Sequence, residues 1–497
     1  MNSTKSLRLL ALTLLAAVAA LAIPSAASAG PRQLSVMQDD AELLGPSAVD
    51  PAASMAEMKA LGVDVVRTNI VFFNVYRGSE ARRRPAGFDA ANPNSSRYDW
   101  SRWDRLVDLA EQNGIKVLMT VTGPGPSFTS QAPSACPRRP PCTFRPQPAE
   151  FGKFTAAVAK RYRGRVDYYS LYNEPNLREW VTPQQTRPGG RRVQTEAAIY
   201  RKLWRAGYKS IARNDPGRRN RVLFGEVAAL GEPLSLIRAA LCLDESGDRF
   251  RGSLARKHGC TGRPARLNVG GFAIHPYNAG AYGNPQSRLK GRNTQTSLPI
   301  AYLPRLHKVI DGAARKRQIR RRAPIFVTEF GFQTSPPDRF GPSLAQQARY
   351  INESDRLFWG NRRVAMVSQY ELADAESRSV FNSGLRFADV RGRREKPSYD
   401  AYRLPIVVTR RSSRSVEAWG QVRPGGRATV QLQAARGGRS FRRVRNVRTN
   451  SRGYFRVSVR RSDAARLRYR ISWQDPDADF HTSRVAKAGK RLRYYRN

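Results

Sequence analysis

Cysteine and histidine are scarce in this chain of 497 residues, which has four of each. No Cys-x-x-Cys occurs, and His258, His275, His307 and His481 are scattered. That speaks against a zinc site, so no metal and no cofactor are expected. Long apolar runs are missing after Ile23, which excludes a later membrane span. Acidic residues are also few: 39 Asp+Glu against 87 Lys+Arg give a formal charge of +48. Such a surplus attracts polyanions. Most of the arginines are dispersed singly, however, so a solvated, arginine-biased surface is the plainer reading.

The one apolar run lies at the N-terminus. Lys5 and Arg8 precede Leu9–Ile23, and Ala27-Ser28-Ala29 is a small-residue cleavage site. Residues 1–29 therefore read as a secretory signal peptide, removed to leave a secreted chain without an anchor. Export permits disulfides. Four cysteines allow three connectivities, and pairing by neighbourhood gives Cys136–Cys142 and Cys242–Cys260. Nucleic acid is not an expected partner of an exported protein, and the chain is expected to act as a monomer.

From Leu34 to about Leu404, short runs rich in β-branched and aromatic residues alternate with helical patterns. Asp50-Pro51 is a helix start, with Asp as the cap and Pro in the first turn. Trp100 and Trp103 sit on a helix and read as core. Eight strand-helix units predict an α/β fold, a closed (β/α)8 TIM barrel over residues 30–405. Near Pro405 the period changes to two. Phe455, Val457 and Val459 alternate with polar residues, as do Leu467, Tyr469, Ile471 and Trp473. This predicts a small immunoglobulin-like β-sandwich over 406–475. Residues 476–497 read as a basic, disordered tail. Residues 406–497 hold 24 Lys+Arg against 5 Asp+Glu, so an anionic cell-envelope polymer is a possible partner of this module. The composition break suggests that the module could be removed with little loss of barrel core.

Two glutamates stand out by position. Val166–Tyr172 reads as a strand, and Asn173-Glu174-Pro175 ends it. Pro324–Val327 is a second strand, followed by Thr328-Glu329-Phe330-Gly331. In a barrel of this kind the C-terminal strand ends carry the active site. Paired carboxyl groups, one protonated and one ionised, are what hydrolysis of a glycoside requires. Arg67, near the exit of an early strand, could hold one carboxylate ionised, and Tyr277 could donate a hydrogen bond to it. Glu226 also ends a strand, but no motif accompanies it, and it reads as structural.

Asn-Glu-Pro on a fourth strand with Thr-Glu-Phe-Gly on a seventh resembles the clan of retaining (β/α)8 glycoside hydrolases that includes families 5 and 39. The resemblance covers about residues 34–405. It implies Glu174 as acid/base, Glu329 as nucleophile and Asn173 on the sugar 2-hydroxyl, with Arg67, His275 and Tyr277 as further site residues. Trp180 and Tyr370 are candidate sugar-stacking aromatics. Where the clan often ends strand eight in tryptophan, this chain has Gln369-Tyr370. A retaining mechanism predicts carboxylates about 5–5.5 Å apart. The expected partner is a carbohydrate, either a polysaccharide or an oligosaccharide. A barrel that only binds a glycan, or a transglycosylase using the same glutamates, remains an alternative reading.

Overall fold

The computed structural model describes residues 32–45, 50–78, 82–138, 141–262, 266–278, 281–291, 294–375 and 381–495. Residues 1–29, read from the sequence as a signal peptide, lie outside the described residues.

Eight parallel strands close into a barrel in sequential order. They are β1 (Leu34–Gln38), β2 (Val65–Val71), β3 (Lys116–Thr122), β4 (Tyr168–Leu171), β5 (Val222–Ala228), β6 (Gly271–His275), β7 (Ile325–Val327) and β8 (Val364–Tyr370). A helix follows each: α1 (Pro51–Ala60), α2 (Ser101–Gln112), α3 (Pro148–Arg161), α4 (Thr195–Asn214), α5 (Pro233–Ala240), α6 (Leu303–Arg315), α7 (Leu344–Trp359) and α8 (Pro397–Arg403). Helix starts follow from local chemistry. The Asp50 carboxylate accepts from the Ala52 amide ahead of α1. Ser343 and Gln346 form a reciprocal capping box at α7, which satisfies otherwise orphaned amides. Trp100 and Trp103 are buried in the main core.

Inside the barrel, each strand sends one side chain into a lower layer: Val36, Val65, Leu118, Tyr168, Leu223, Ala273, Phe326 and Met366. Side chains two residues on face the same way. Gln38, Arg67, Thr120, Ser170, His275, Thr328 and Ser368 therefore form the next layer up, and all are buried. The interior turns from apolar to polar toward the C-terminal strand ends.

After Pro405 come β9 (Ile406–Ser412), β10 (Ser415–Gln421), β11 (Thr429–Ala435), β12 (Arg442–Arg448), β13 (Tyr454–Arg460), β14 (Arg468–Gln474), β15 (Phe480–Thr482) and β16 (Ala486–Lys487). They make a three-stranded antiparallel sheet, β9-β10-β13, and a five-stranded one. The five-stranded sheet runs β12-β11-β14-β15, with β16 also on β14. The expectation of a disordered tail from 476 is corrected here. Residues 480–487 pair with β14, and beyond them the Tyr494 hydroxyl donates to the Leu357 carbonyl. Basic composition suggested disorder, but apolar and tyrosine side chains between the charges find a surface to pack on.

The junction is also tighter than the composition break implied. Trp359 of α7 packs with Trp419 and Tyr454 of the sandwich. The buried Arg423 reaches Asp355 at 3.2 Å, and Arg452 reaches Asp64 at 2.7 Å. These barrel partners lie before β2 or at the end of α7. The module therefore packs at the N-terminal ends of the strands. Both disulfides form, Cys136–Cys142 and Cys242–Cys260. Among the described residues, no helix is long and apolar enough to cross a membrane.

Candidate active site

Arg67 is fully buried and organises the upper layer. Its Nη1 donates to Glu329 Oε1 at 2.6 Å and also to Gln38 Oε1. Its Nη2 donates to Glu226 Oε2 at 2.8 Å and to Asn173 Oδ1 at 2.9 Å. Burial disfavours its charge, but Glu226 and Glu329 outweigh that and hold the guanidinium above its ordinary value.

His275, at the end of β6, lies among three carboxyl groups. Its Nδ1 is 2.8 Å from Glu174 Oε1 and 3.5 Å from Glu329 Oε2, and its Nε2 is 2.7 Å from Glu226 Oε2. Burial would push the imidazole down. Glu329, Glu174 and Glu226 together outweigh it and raise the group from 6.5 to about 10. Glu226 responds in the opposite direction. Burial alone would raise it, but Arg67 and His275 carry it down from 4.5 to about 2. Thr328 Oγ1 also donates to Glu226 Oε2, at 3.0 Å.

The two motif glutamates meet. One oxygen of Glu174, one of Glu329 and a ring nitrogen of His275 all lie within 4.8 Å of one another. Both carboxylates are only partly exposed. Tyr277 donates to Glu329 Oε2 at 3.4 Å. Burial, then the neighbouring Glu329, hold its phenol well above the usual value, so it stays a donor. Asn173 is placed by its amide, which donates to Thr122 Oγ1 at 3.0 Å. The Glu174 amide donates to the Glu226 carbonyl at 2.8 Å, tying the ends of β4 and β5 together. Tyr172, Glu174 and Glu226 have φ of 70°, 36° and 48°. Side chains rarely adopt that region, and each such residue costs about 1–3 kcal/mol.

The remaining candidates divide. Tyr370, at the end of β8, lies close enough to feel the Glu329 charge. Trp180 packs against the main core, and its carbonyl accepts from the Tyr172 hydroxyl. Among the described contacts, none brings its ring to the carboxylates. Two residues escaped sequence reasoning. Gln38 has a signal in hindsight, since it stands two positions after the core residue Val36. Phe381 has none: it sits on a loop, 37% exposed, with its ring 5.4 Å from Tyr277 and 6.0 Å from Tyr370.

The Glu174–His275–Glu329 trio also has the spacing of a metal site. Its chemistry argues otherwise. Both ring nitrogens of His275 are already engaged by carboxylates, Nδ1 by Glu174 and Nε2 by Glu226. Arg67 adds a fixed cation at 2.6 Å from Glu329.

No protein-family model matches the sequence, and no curated protein does. Solved structures with a similar fold exist. A glucosidase from Croceicoccus marinus aligns at a TM-score of 0.51 and 10% identity, over 87% of this chain and 94% of its own. A family 1 β-glucosidase from Thermotoga maritima aligns at 0.44 and 12% identity, over 76% of this chain and 97% of its own. A β-glycosidase from Thermosphaera aggregans aligns at 0.41 and 13% identity, over 71% and 83%. At such identity the first match speaks for the barrel fold, and the other two carry no further argument.

Proposed function

We propose that this protein is a secreted retaining O-glycoside hydrolase acting on a polysaccharide or oligosaccharide. The carrying observation is that one oxygen of Glu174 and one of Glu329 lie within 4.8 Å of each other at the C-terminal ends of β4 and β7. Retaining enzymes place their carboxyl groups about 5–5.5 Å apart, whereas inverting ones leave about 6.5–9.5 Å for a water. Glu329 is the nucleophile. Arg67 and Tyr277 orient it and balance its charge. Glu174 has no guanidinium partner and faces the same space, so it takes the acid/base role.

In the first step Glu329 attacks the anomeric carbon and Glu174 gives its proton to the departing oxygen. A glycosyl ester on Glu329 results. In the second step Glu174 takes a proton from water, whose oxygen attacks the anomeric carbon and releases Glu329. Asn173, held by Arg67, takes the sugar 2-hydroxyl in this reading. Tyr370 and Phe381 offer aromatic surface beside Tyr277. The two disulfides agree with an extracellular setting.

The test is covalent trapping. Because the similar Croceicoccus marinus protein is a glucosidase, aryl β-glucosides are the first substrates to try. A 2-fluoro glycoside of whichever sugar is turned over should label Glu329, as read by peptide mass. A label on Glu226 instead would overturn the assignment. Glu174→Ala should slow substrates with poor leaving groups most, and azide should restore turnover by forming a glycosyl azide. Equal losses on good and poor leaving groups without rescue would remove Glu174 from the acid/base role.

A further inference from the structure

The sandwich contains a cleft of about 830 Å³ far along the chain from the glutamates. Its walls are the end of β11, the β11–β12 hairpin, the start of β12 and the loop before β14. Five arginines line it, Arg436, Arg439, Arg442, Arg443 and Arg461, against one acid, Asp463. Arg461 binds Asp463 at 2.5 Å. Arg439, Arg442 and Arg443 are exposed and have no carboxylate within ion-pair distance among the described residues.

An arginine-biased composition would spread such residues evenly, and the barrel shows what that looks like. Arg165 pairs with Asp108 and Glu111, Arg363 with Asp311, and Arg393 with Glu42 and Glu57. The cleft instead gathers like charges with little to balance them, which raises the energy of the free protein. Edge-strand protection explains part of this. β12 is the edge of its sheet, and charged side chains discourage strand addition there. A row of charges suffices for that purpose, and convergence on a concavity goes beyond it. The neighbouring surface is ordered as well. Arg470 and Arg468 lie over the Phe441 ring at 4.4 and 5.6 Å, and Arg470 Nε donates to Gln433 Oε1 at 2.8 Å. Planar guanidinium forks pair bidentately with carboxylates as well as with phosphates, and of the two an acidic glycan supplies carboxylates.

We propose that this cleft binds a carboxylate-bearing glycan chain and holds the enzyme on an acidic polysaccharide. The site is independent of the glutamate chemistry, because the module packs at the opposite end of the barrel. The experiment measures binding of the full chain to polygalacturonate, with neutral dextran and duplex DNA as comparators, at about 0.15 M salt. Arg439→Gln/Arg442→Gln/Arg443→Gln should weaken polygalacturonate binding about tenfold or more. A control removing the same charge from the barrel, Arg102→Gln/Arg105→Gln/Arg163→Gln, should bind like the parent. Turnover of an aryl glycoside should be unchanged in both, so failure of binding and failure of the hydrolase reading are separable. Equal weakening by the two triples would reduce the effect to net charge and overturn the site. Tighter binding of DNA than of polygalacturonate would overturn the glycan as its occupant.

Discussion

Arg67 and His275 share one acceptor, the Oε2 atom of Glu226, at 2.8 and 2.7 Å. That oxygen also takes the Thr328 hydroxyl. A buried carboxylate so placed fixes both cations that touch the two motif glutamates. Glu226→Gln keeps the shape and removes the charge. Breaking one partner out of a buried charge cluster costs about 3–5 kcal/mol, so the variant should melt lower and turn over slowly, with KM changed much less than kcat. Normal kcat in a folded variant would strip Glu226 of its positioning role. The same cluster sets a pH window. The imidazole is raised from 6.5 to about 10, so its stabilisation is complete below 6.5 and lost as pH climbs through 10. Glu226 is lowered from 4.5 to about 2, so its share is complete above 4.5 and lost as pH falls through 2. Melting temperature should therefore decline from pH 6.5 to 10, and His275→Asn should flatten that decline. An unchanged slope in the variant would assign the alkaline loss elsewhere. That Arg67 pairs with a carboxylate was legible in the sequence; the part Glu226 plays was not. Glu226 ends a strand much as Glu174 does, but its meaning comes from partners 49 and 159 residues away.

At the scale of elements, the strand ends are set by backbone contacts between neighbours. The Tyr370 amide at the end of β8 donates to the Phe330 carbonyl after β7, at 2.9 Å. Gly331 makes that approach possible. A Cβ there would overlap the Tyr370 carbonyl oxygen and lie 3.0 Å from the Ser383 side chain. The glycine of Thr-Glu-Phe-Gly thus sets the distance between the β7 exit, with Glu329, and the β8 exit, with Tyr370. Gly331→Ala should displace one against the other. Misplacement near 1 Å can cost about a hundredfold in rate, so kcat/KM should fall steeply while far-ultraviolet circular dichroism stays that of the parent. Parent-like kinetics would mean the gap is slack. The units themselves were readable, because helix starts such as Asp50-Pro51 and the strand runs are local signals. Phe381 was not, since a loop aromatic carries no periodicity. Trp180 attracted notice as a loop tryptophan, yet its ring joins the core.

For the whole molecule, the composition break near Pro405 implied a looser junction than the contacts across it make. A change of period marks where one sheet system ends and another begins, and carries no information about the area buried between them. Gly62, before β2, has φ of +74°, and a Cβ there would sit 2.6 Å from Pro424 Cα. Barrel and sandwich therefore touch backbone to backbone. Trp359, Trp419 and Tyr454 close the seam. The chain end then returns along the barrel, where the Tyr495 amide donates to the Ala301 carbonyl and its hydroxyl to the Gln286 carbonyl. Truncation after Pro405 would uncover Trp359 and remove the Arg423 partner of Asp355. Burying one large apolar side chain is worth about 1.5–3 kcal/mol, and several are lost together. A fall in melting temperature of about 10 °C or more is expected. Should the truncated chain aggregate, Trp419→Ala in the full chain asks the same question, at about 3–5 kcal/mol for the cavity. Unfolding followed by barrel tryptophan fluorescence would then shift to lower denaturant. Parent-like stability of both proteins would mean that the sandwich rides on the barrel without supporting it.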